Sequence, residues 1–431
     1  MHVYFSGIGG TGIGPLSLIA YKAGYAVSGS DKQDSAYVQY LQKSGLSDIH
    51  IGQTYEQIAS VHTKNPIDWY VYSSAVTMEQ NDAPELRFCK EHDIKTTKRD
   101  AFLSAFLDDN NLKLIAVAGT HGKTTTTAMM VWAMKQLELP VSYSVGAKLS
   151  FGEMGEYTPG SEYFVYECDE YDRNFLSYTP HISLITGIDW DHPDTYPTRE
   201  EYYDAFHTFL NKSGQNLLWT ADATALGITP HDHCKVLADD DEVLHAVQLP
   251  GEVNRRDAAL VVHALHYLTG KPLLQLAHII STFPGVSRRF EQIAPNIYSD
   301  YAHTPPKIKG ALQLAHEVAG DNVVVVYEGL HNTRQHFIKD ELASLFEHVK
   351  QLYIVPSYLA REDPKLALLS PADLRGLMNE ATQQHTVPSA LDDTLRDAIT
   401  QHAAQGDTVL CITAGGGNSL DEWLRQAFKK P

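Results

Sequence analysis

The sequence has little cysteine, and its four cysteines, Cys89, Cys168, Cys234 and Cys411, stand far apart. They form no C-x-x-C pair, so we expect no disulfide framework, and a reducing compartment fits. No apolar stretch approaches the length that spans a membrane, and the first residues lack a basic segment followed by a long apolar core. The sequence therefore predicts a cytosolic protein without a signal peptide.

Positive charge is also scarce. The chain carries 34 lysine and arginine residues against 53 aspartate and glutamate residues, a formal net charge of −19. A field of that sign repels nucleic acid and anionic lipid, so we expect neither nucleic acid nor a membrane as a partner. A phosphate-bearing ligand must then be held by local donors and metal ions.

What the sequence does contain is a repeated arrangement of short apolar strands that lead into glycine-rich turns. The turns follow residues 3–6, 114–118 and 409–413. Helical patterns alternate with such strands at residues 123–138, 198–212, 254–268, 305–319 and 339–349. Apolar strands alternating with helices indicate parallel sheets covered on both faces, so the predicted fold class is α/β.

The 431 residues are too many for one compact core, and two polar or turn-prone breaks divide them. The breaks lie at 108–111 and 283–286. They predict three domains, at residues 1–108, 109–286 and 287–431. Residues 221–247 show no clear periodicity and receive no assignment.

The first glycine turn has the spacing Gly7-x-Gly9-x-x-Gly12 between a strand and a helix. Such glycines let the backbone approach a pyrophosphate, which lies at the helix N-terminus. Asp31 stands about where dinucleotide folds place the acid that binds ribose. The pattern alone fits a nicotinamide cofactor, another diphosphate, or a tight turn without a ligand.

The second glycine turn predicts an ATP site, and it reads Gly119-Thr120-His121-Gly122-Lys123-Thr124-Thr125. A phosphate loop needs a nest of backbone N–H groups, a lysine for the β- and γ-phosphates and a hydroxyl for Mg²⁺. Val117 stands where the first glycine of the common spacing would be. The third turn, residues 415–417, is either an anion loop or a packing turn, and we favour packing.

Two acidic segments follow predicted strands downstream of the second loop. They are Glu167-Cys168-Asp169-Glu170 and Asp189-Trp190-Asp191-His192-Pro193-Asp194. Either could be a solvated loop. Carboxylates at strand ends beside a phosphate loop are nevertheless suitable ligands for Mg²⁺.

Two further motifs follow these along the chain, Arg288-Arg289-Phe290-Glu291 and Asp300-Tyr301-Ala302-His303. The motifs occur in the same order as in the Mur ligases, which the sequence therefore resembles. The resemblance covers nearly the whole chain and is strongest to the branch that adds alanine. It implies a Rossmann-like domain for a UDP-sugar, a central ATPase domain and a Rossmann-like domain for the amino acid. It further implies ATP with Mg²⁺ and joining of UDP-N-acetylmuramate to a small amino acid, by a monomer or weak homodimer.

The resemblance also implies roles for individual residues. Lys123 would bind the β- and γ-phosphates, Thr124 the first Mg²⁺, and Glu167 with His192 the second. The remaining contacts would be Arg289 to the γ-phosphate, Asp300 to ribose, Asn254 to adenine, His303 and Arg334 to the amino acid, and Gly7, Gly9, Gly10, Gly12, Ser30, Asp31, Ser73 and Ser74 to the UDP-sugar.

The chain departs from the family pattern at three places. The usual Gly-x-His-Asn-x-x-Asn reads Gly251-Glu252-Val253-Asn254-Arg255-Arg256-Asp257, Thr304 replaces a histidine, and Leu330 stands at a histidine position in the acceptor segment. Residues 193–211 contain no lysine, which agrees with the alanine-adding branch.

Four alternatives remain open. Asn332-Thr333 echoes the ligases that recycle a preformed peptide, and glycine or serine could replace alanine. The first loop would suit a nicotinamide-dependent oxidoreductase. The altered adenine segment would suit a catalytically silent nucleotide-binding scaffold.

Overall fold

The protein folds into three sheets with helices packed against them. The computed structural model describes residues 1–73, 76, 82–192, 195–359, 362–413 and 419–428. Its sheets have five, seven and six strands within those ranges. The predicted α/β class and its three sheet-containing domains are confirmed. Ser74 and the third glycine turn lie outside the described residues.

The N-terminal sheet is wholly parallel, in the order β3-β2-β1-β4-β5. Its strands are β1 (His2–Ser6), β2 (Ala26–Asp31), β3 (Ile49–Ile51), β4 (Trp69–Tyr72) and β5 (Lys95–Lys98). Its helices are α1 (Gly14–Lys22), α2 (Ala36–Lys43), α3 (Tyr55–Lys64), α4 (Pro84–Glu91) and α5 (Arg99–Asp109). The strand order reverses between β1 and β4, which is where open α/β sheets bind ligands.

The central sheet has the order β12-β11-β10-β6-β9-β7-β8, and only its β7–β8 pair is antiparallel among the described strands. Its strands are β6 (Lys113–Ala118), β7 (Val141–Ser144), β8 (Gly155–Glu156), β9 (Tyr163–Glu167), β10 (Ile182–Ile185), β11 (Gln215–Trp219) and β12 (Cys234–Leu237). Because β6 lies between β9 and β10, the segments that follow these three strands meet at one edge.

The helices of this region are α6 (Lys123–Gln136), α7 (Arg199–Lys212), α8 (Thr220–Leu226), α9 (Glu242–Ala246), α10 (Glu252–Thr269) and α11 (Leu273–Ile280), with a 3₁₀ helix at Tyr171–Ser177. The stretch 221–247, unassigned from the sequence, thus contains β12, all of α9 and all but the first residue of α8. The first helical pattern of this region, 123–138, corresponds to α6.

The C-terminal sheet has the order β13-β14-β18-β15-β16-β17, with β13 antiparallel to β14. Its strands are β13 (Glu291–Ala294), β14 (Ile297–Asp300), β15 (Val323–Leu330), β16 (Gln351–Tyr358), β17 (Thr386–Pro388) and β18 (Thr408–Ile412). Four consecutive valines suit a central strand, and every residue of β15 is buried.

The helices here are α12 (Pro305–Ala319), α13 (Asn332–Leu345), α14 (Pro371–Leu377), α15 (Glu380–Gln384), α16 (Asp393–Ala404) and α17 (Leu420–Ala427). The predicted helix 339–349 was wrong at both ends. Its real start follows β15 directly, and the buried side chains of Asn332 and Gln335 in its first turn disguise the helical pattern.

The chain forms two compact units. One comprises Met1–Val247 with Arg256–Pro284, and the other comprises Gln248–Arg255 with Gly285–Pro431. Helix α5 runs across position 108, and the domain limits at 108 and 286 stay predictions. None of the helices in the described residues is long and apolar enough to cross a membrane.

Candidate active site

The second glycine loop connects β6 to α6 through two glycines in unusual conformations. Gly119 has a φ of +133° and Gly122 a φ of +73°. A Cβ atom on Gly119 would lie 2.7 Å from Thr186 Oγ1 and 2.8 Å from the Gly187 carbonyl oxygen. Glycine is therefore required at position 119, both for its backbone angle and for the close approach of the strand end after β10.

The middle of this loop is tied to the segment that follows β10. The Thr120 N–H donates to the Gly187 carbonyl at 2.7 Å, and the Thr120 hydroxyl donates to the Asp189 carbonyl at 2.6 Å. His121 Nε2 lies 2.8 Å from Asp189 Oδ2, and this hydrogen bond lowers the pKa of Asp189. The loop is thus fixed in shape before any ligand binds.

Lys123, the first residue of α6, is held over the loop. Its ammonium donates to the Gly119 carbonyl at 2.6 Å and to Glu170 Oε2 at 2.7 Å. Burial alone would lower the pKa of Lys123, but Glu170 and Asp169 outweigh it and the pKa is raised. The lysine therefore stays charged at the N-terminus of a helix, where a phosphate binds.

The predicted metal ligands are only partly brought together. The Thr124 hydroxyl donates to Glu167 Oε1 at 2.9 Å, and Glu167 Oε2 accepts the Gly146 N–H at 3.2 Å. His192, which has a φ of +57°, places Nε2 3.9 Å from Glu170 Oε1. His192 thus lies beside the carboxylate that holds Lys123.

This donor set fits Mg²⁺ bound with a nucleotide. Thr124 and Glu167 supply hard oxygen atoms of the kind that Mg²⁺ prefers, and the phosphate oxygens of the nucleotide would complete its coordination. Within the described ranges, no group of three or more His, Cys, Asp or Glu side chains is arranged to hold a metal ion by itself. The arrangement suits a metal ion shared with substrate.

A buried carboxyl group that the sequence analysis gave no role lies against the phosphate loop. Asp257, on α10, is 2% exposed, and a Cβ atom on Gly122 would lie 2.7 Å from its Oδ1. Burial raises the pKa of Asp257 to about 7. The sequence signal was the departure from asparagine at this position, and the structure places the carboxyl group against the phosphate loop.

The first glycine loop borders a cavity of about 330 Å³ at the carboxyl ends of β1 and β4. Of the predicted UDP-sugar contacts, Gly7, Gly10, Asp31 and Ser73 line it. Its wall also contains three polar residues that no sequence motif marks, which are Lys32, Gln53 and Glu85. The cavity therefore lies at the point where the strand order reverses.

Glu85 is the centre of a buried hydroxyl cluster in this wall. Its carboxylate accepts hydrogen bonds from Tyr4 (2.9 Å), Ser6 (2.6 Å) and Tyr70 (3.1 Å). Burial raises the pKa of Glu85, while these hydroxyls oppose the shift. No local sequence pattern marks it, because its partners come from strands far away along the chain.

Ser30 and Asp31, at the end of β2, hold the first loop in place. The Ser30 carbonyl accepts the N–H groups of Gly7 and Ile8 at 2.8 and 2.9 Å. Asp31 Oδ2 accepts the Gly9 N–H at 2.8 Å. Ser30 and Gly9 thus contribute to the shape of the loop, and Asp31 both shapes it and faces the cavity.

The other predicted nucleotide contacts belong to the second unit. Asp300 is buried and accepts the Phe290 N–H at 2.8 Å, and burial raises its pKa to about 6 while Arg289 opposes the rise. The Arg289 guanidinium lies 5.4 Å from the centroid of the Tyr301 ring. Asn254 donates to the Pro250 carbonyl at 2.8 Å.

His303 and Arg334 belong to the same unit. His303 Nδ1 lies 2.9 Å from the Tyr301 carbonyl oxygen. Burial, followed by the positive charges of Lys307 and Arg334, lowers the pKa of His303 well below its usual value. The imidazole is therefore neutral, and because a carbonyl only accepts, Nδ1 carries the hydrogen and Nε2 keeps a lone pair.

The fold and the two loops define a class: an α/β protein with a phosphate loop beside acidic strand ends. Three family models match it, namely "Mur ligase family, catalytic domain" at residues 2–110, "Mur ligase middle domain" at 117–237 and "Mur ligase, glutamate ligase domain" at 288–415. The chain therefore belongs to the Mur ligase family.

Individual relatives extend over nearly the whole chain. UDP-N-acetylmuramate–L-alanine ligase of Paenarthrobacter aurescens is 30% identical over 96% of this chain and 94% of its own, and that of Streptomyces coelicolor is 29% identical over 97% of both. The crystal structure of UDP-N-acetylmuramate-alanine ligase from Thermotoga maritima is 22% identical, has a TM-score of 0.75 and covers 99% of this chain and 98% of its own. A murein peptide ligase from Psychrobacter arcticus is 21% identical, with a TM-score of 0.65, and covers 100% and 99%.

Proposed function

We propose that the protein uses ATP to join L-alanine to UDP-N-acetylmuramate in peptidoglycan precursor synthesis. The observation that carries the proposal is the charged Lys123, held by the buried Glu170 at the start of α6 beside Thr124 and Glu167. Full-length relatives that carry the name of this reaction support the choice of substrates.

In the first step, the lactyl carboxylate of the sugar nucleotide attacks the γ-phosphorus of ATP, and ADP leaves. The products are an acyl phosphate and ADP. Lys123 stabilises the charge that spreads over the phosphoryl oxygens, and Arg289 is proposed to act on the same group. A first Mg²⁺ held by Thr124 and a second held by Glu167 and His192 would supply further charge neutralisation when bound.

In the second step, the neutral amine of the amino acid attacks the acyl carbon, and inorganic phosphate leaves. An α-ammonium group must first lose a proton. Once the amine is neutral, the imidazole of His303 can accept a hydrogen bond from it at Nε2, which keeps a lone pair. Arg334 would bind the carboxylate of the amino acid.

The choice of a free amino acid over a peptide rests on the acceptor segment. Asn332 is 2% exposed, donates to the Ala367 carbonyl at 3.0 Å and accepts the Leu369 N–H at 2.9 Å. The Thr333 N–H and hydroxyl both donate to Glu362. The two residues that echo the peptide-recycling branch therefore stabilise a local turn.

The test is phosphate release from ATP and Mg²⁺ with UDP-N-acetylmuramate and one acceptor at a time. We expect release that depends on both UDP-N-acetylmuramate and L-alanine, with glycine and L-serine slower because each changes the group that fits beside the acceptor carbon. Release with the tripeptide alone would move the assignment to peptide recycling. Absence of phosphate release with every acceptor, the tripeptide included, would overturn the ligase proposal in favour of a silent scaffold.

A further inference from the structure

The first glycine loop uses most of its own amide donors inside the fold. The N–H groups of Gly7 and Ile8 donate to Ser30, that of Gly9 to Asp31, and that of Gly10 to Gly7. Further along, the N–H groups of residues 13 and 14 both donate to the Gly10 carbonyl. At most the N–H groups of residues 11 and 12 remain for a diphosphate, so a diphosphate bound here would find few backbone donors in this loop.

The charge around the cavity also indicates that a diphosphate here would need side-chain donors. Asp31 and Glu85 line it together with one lysine, Lys32, and the chain as a whole has a formal charge of −19. A nucleoside diphosphate brings further negative charge to this place. A further cation close to the loop therefore favours its binding.

Arg99, the first residue of α5, is placed to supply that cation. Its guanidinium lies directly against Gly12, so that a Cβ atom added to Gly12 would be 1.8 Å from Arg99 Nη1. Nη2 of the same group donates to Asp169 Oδ2 at 3.4 Å. Arg99 thus fills the space that a side chain at position 12 would take, and its Nη1 is the nitrogen that faces the loop.

The neighbours of Arg99 fix its position. Lys98 donates to Asp172 Oδ2 at 2.5 Å, and Asp100 accepts the Ser177 hydroxyl at 2.5 Å. Both partners belong to the 3₁₀ segment after β9. Three consecutive residues therefore anchor the start of α5, and the guanidinium is preorganised beside the loop.

We propose that Arg99 binds the diphosphate of the sugar nucleotide at Gly12. A guanidinium suits a diphosphate because its planar N–H groups match two phosphate oxygens at once. The inference rests on the proposed function, since it assigns a residue to the sugar-nucleotide site. It goes beyond the sequence resemblance, which gave Arg99 no role.

The test is calorimetric titration of the full chain with UDP, uridine and ADP, using wild type, Arg99→Ala and Arg87→Ala. Arg87 is an exposed arginine of the same domain, 5.6 Å from the Tyr55 ring, and serves as the control. We expect Arg99→Ala to weaken UDP about 10- to 100-fold, as for loss of a charged hydrogen bond. Uridine, which lacks the diphosphate, and ADP should change less than about twofold in either variant.

Two further variants keep a positive charge at position 99 but change its position. Gly12→Ala displaces the guanidinium and should weaken UDP selectively in the same way, and Arg99→Lys should restore part of the affinity that Arg99→Ala loses. Unchanged UDP affinity in Arg99→Ala, or equal loss of UDP and uridine, would overturn the inference alone. Failure of the wild type to bind UDP would overturn the sugar-nucleotide site and the inference together.

Discussion

The two glycine loops look alike in the sequence and are built differently. In the first, the N–H groups turn inward to Ser30 and Asp31, and the adjacent cation, Arg99, comes from another helix. In the second, the cation is Lys123, the residue directly after the loop, held by a buried glutamate. Glycine spacing thus specifies a turn, whereas side chains from neighbouring elements specify what the turn binds.

A second pair of features sharpens the comparison within one sheet. Lys113 and Glu162 form an exposed ion pair of 2.7 Å at the amino ends of β6 and β9. Lys123 and Glu170 form a pair of equal length beyond the carboxyl ends of the same strands, with Glu170 only 1% exposed. The exposed pair supplies matched controls for the buried one.

The largest expected effect is that of Lys123→Ala. Removing the ammonium should lower ATP-dependent phosphate release by about a thousandfold, because that charge stabilises the transferring phosphoryl group. UDP affinity should change less than about twofold, since the first loop holds its own ligand. Phosphate release and UDP titration measure the two effects, and Lys113→Ala should change neither. Equal loss of both would contradict the division of labour between the loops.

Glu170→Gln should have the next largest effect. The amide keeps the shape but loses the charge that holds Lys123, so we expect kcat to fall about 100-fold as the lysine loses its position. KM for UDP-N-acetylmuramate should stay within about twofold. Steady-state kinetics of Glu170→Gln and of the control Glu162→Gln decide the matter. A full loss of activity in both variants would mean that folding, and not lysine placement, was disturbed.

The sequence predicts those parts of the site that are contiguous along the chain. Residues 113–136 form a strand, a glycine turn and a helix, whose periodicity and glycines are local signals, and the structure has them as expected. Arg99 contacts Gly12, and Asp257 contacts Gly122, over separations that no local pattern encodes. The buried hydroxyl cluster around Glu85 likewise joins residues from several elements, so it is recognised only once the sheet has folded.

Asp257→Asn should change stability more than activity. The pKa of Asp257 rises from 3.8 to about 7 on folding, so the folded state binds the proton more tightly, and the free energy of unfolding falls as pH rises from about 4 to about 7. An uncharged amide removes this loss. We expect Asp257→Asn to be more stable than the wild type by about 2 kcal/mol at about pH 8. This is less than the full pKa shift would give, because the wild-type loop relaxes around the charged carboxylate.

Urea unfolding at about pH 5 and about pH 8 measures this effect, and the gain should shrink by about half at the lower pH. The exposed Asp204→Asn is the control and should show no such dependence. A gain that is the same at both pH values would show that packing of the amide, and not the buried charge, is responsible.

The smallest expected effect belongs to the first loop. Asp31→Ala removes the acceptor of the Gly9 N–H, a bond of 2.8 Å at the mouth of the cavity, and the half-buried position lets water replace part of it. We expect the free energy of unfolding to fall by about 1 kcal/mol in urea titrations, against no change for Asp34→Asn, which is exposed three residues away. Since Asp31 also lines the cavity, UDP affinity should fall alongside stability, whereas Arg99→Ala should lower UDP affinity with little loss of stability. If Asp31→Ala left both quantities unchanged, the N–H groups of the first loop would not depend on this carboxylate. The contrast between a first loop shaped by Asp31 and a Lys123 held by Glu170 would then not hold.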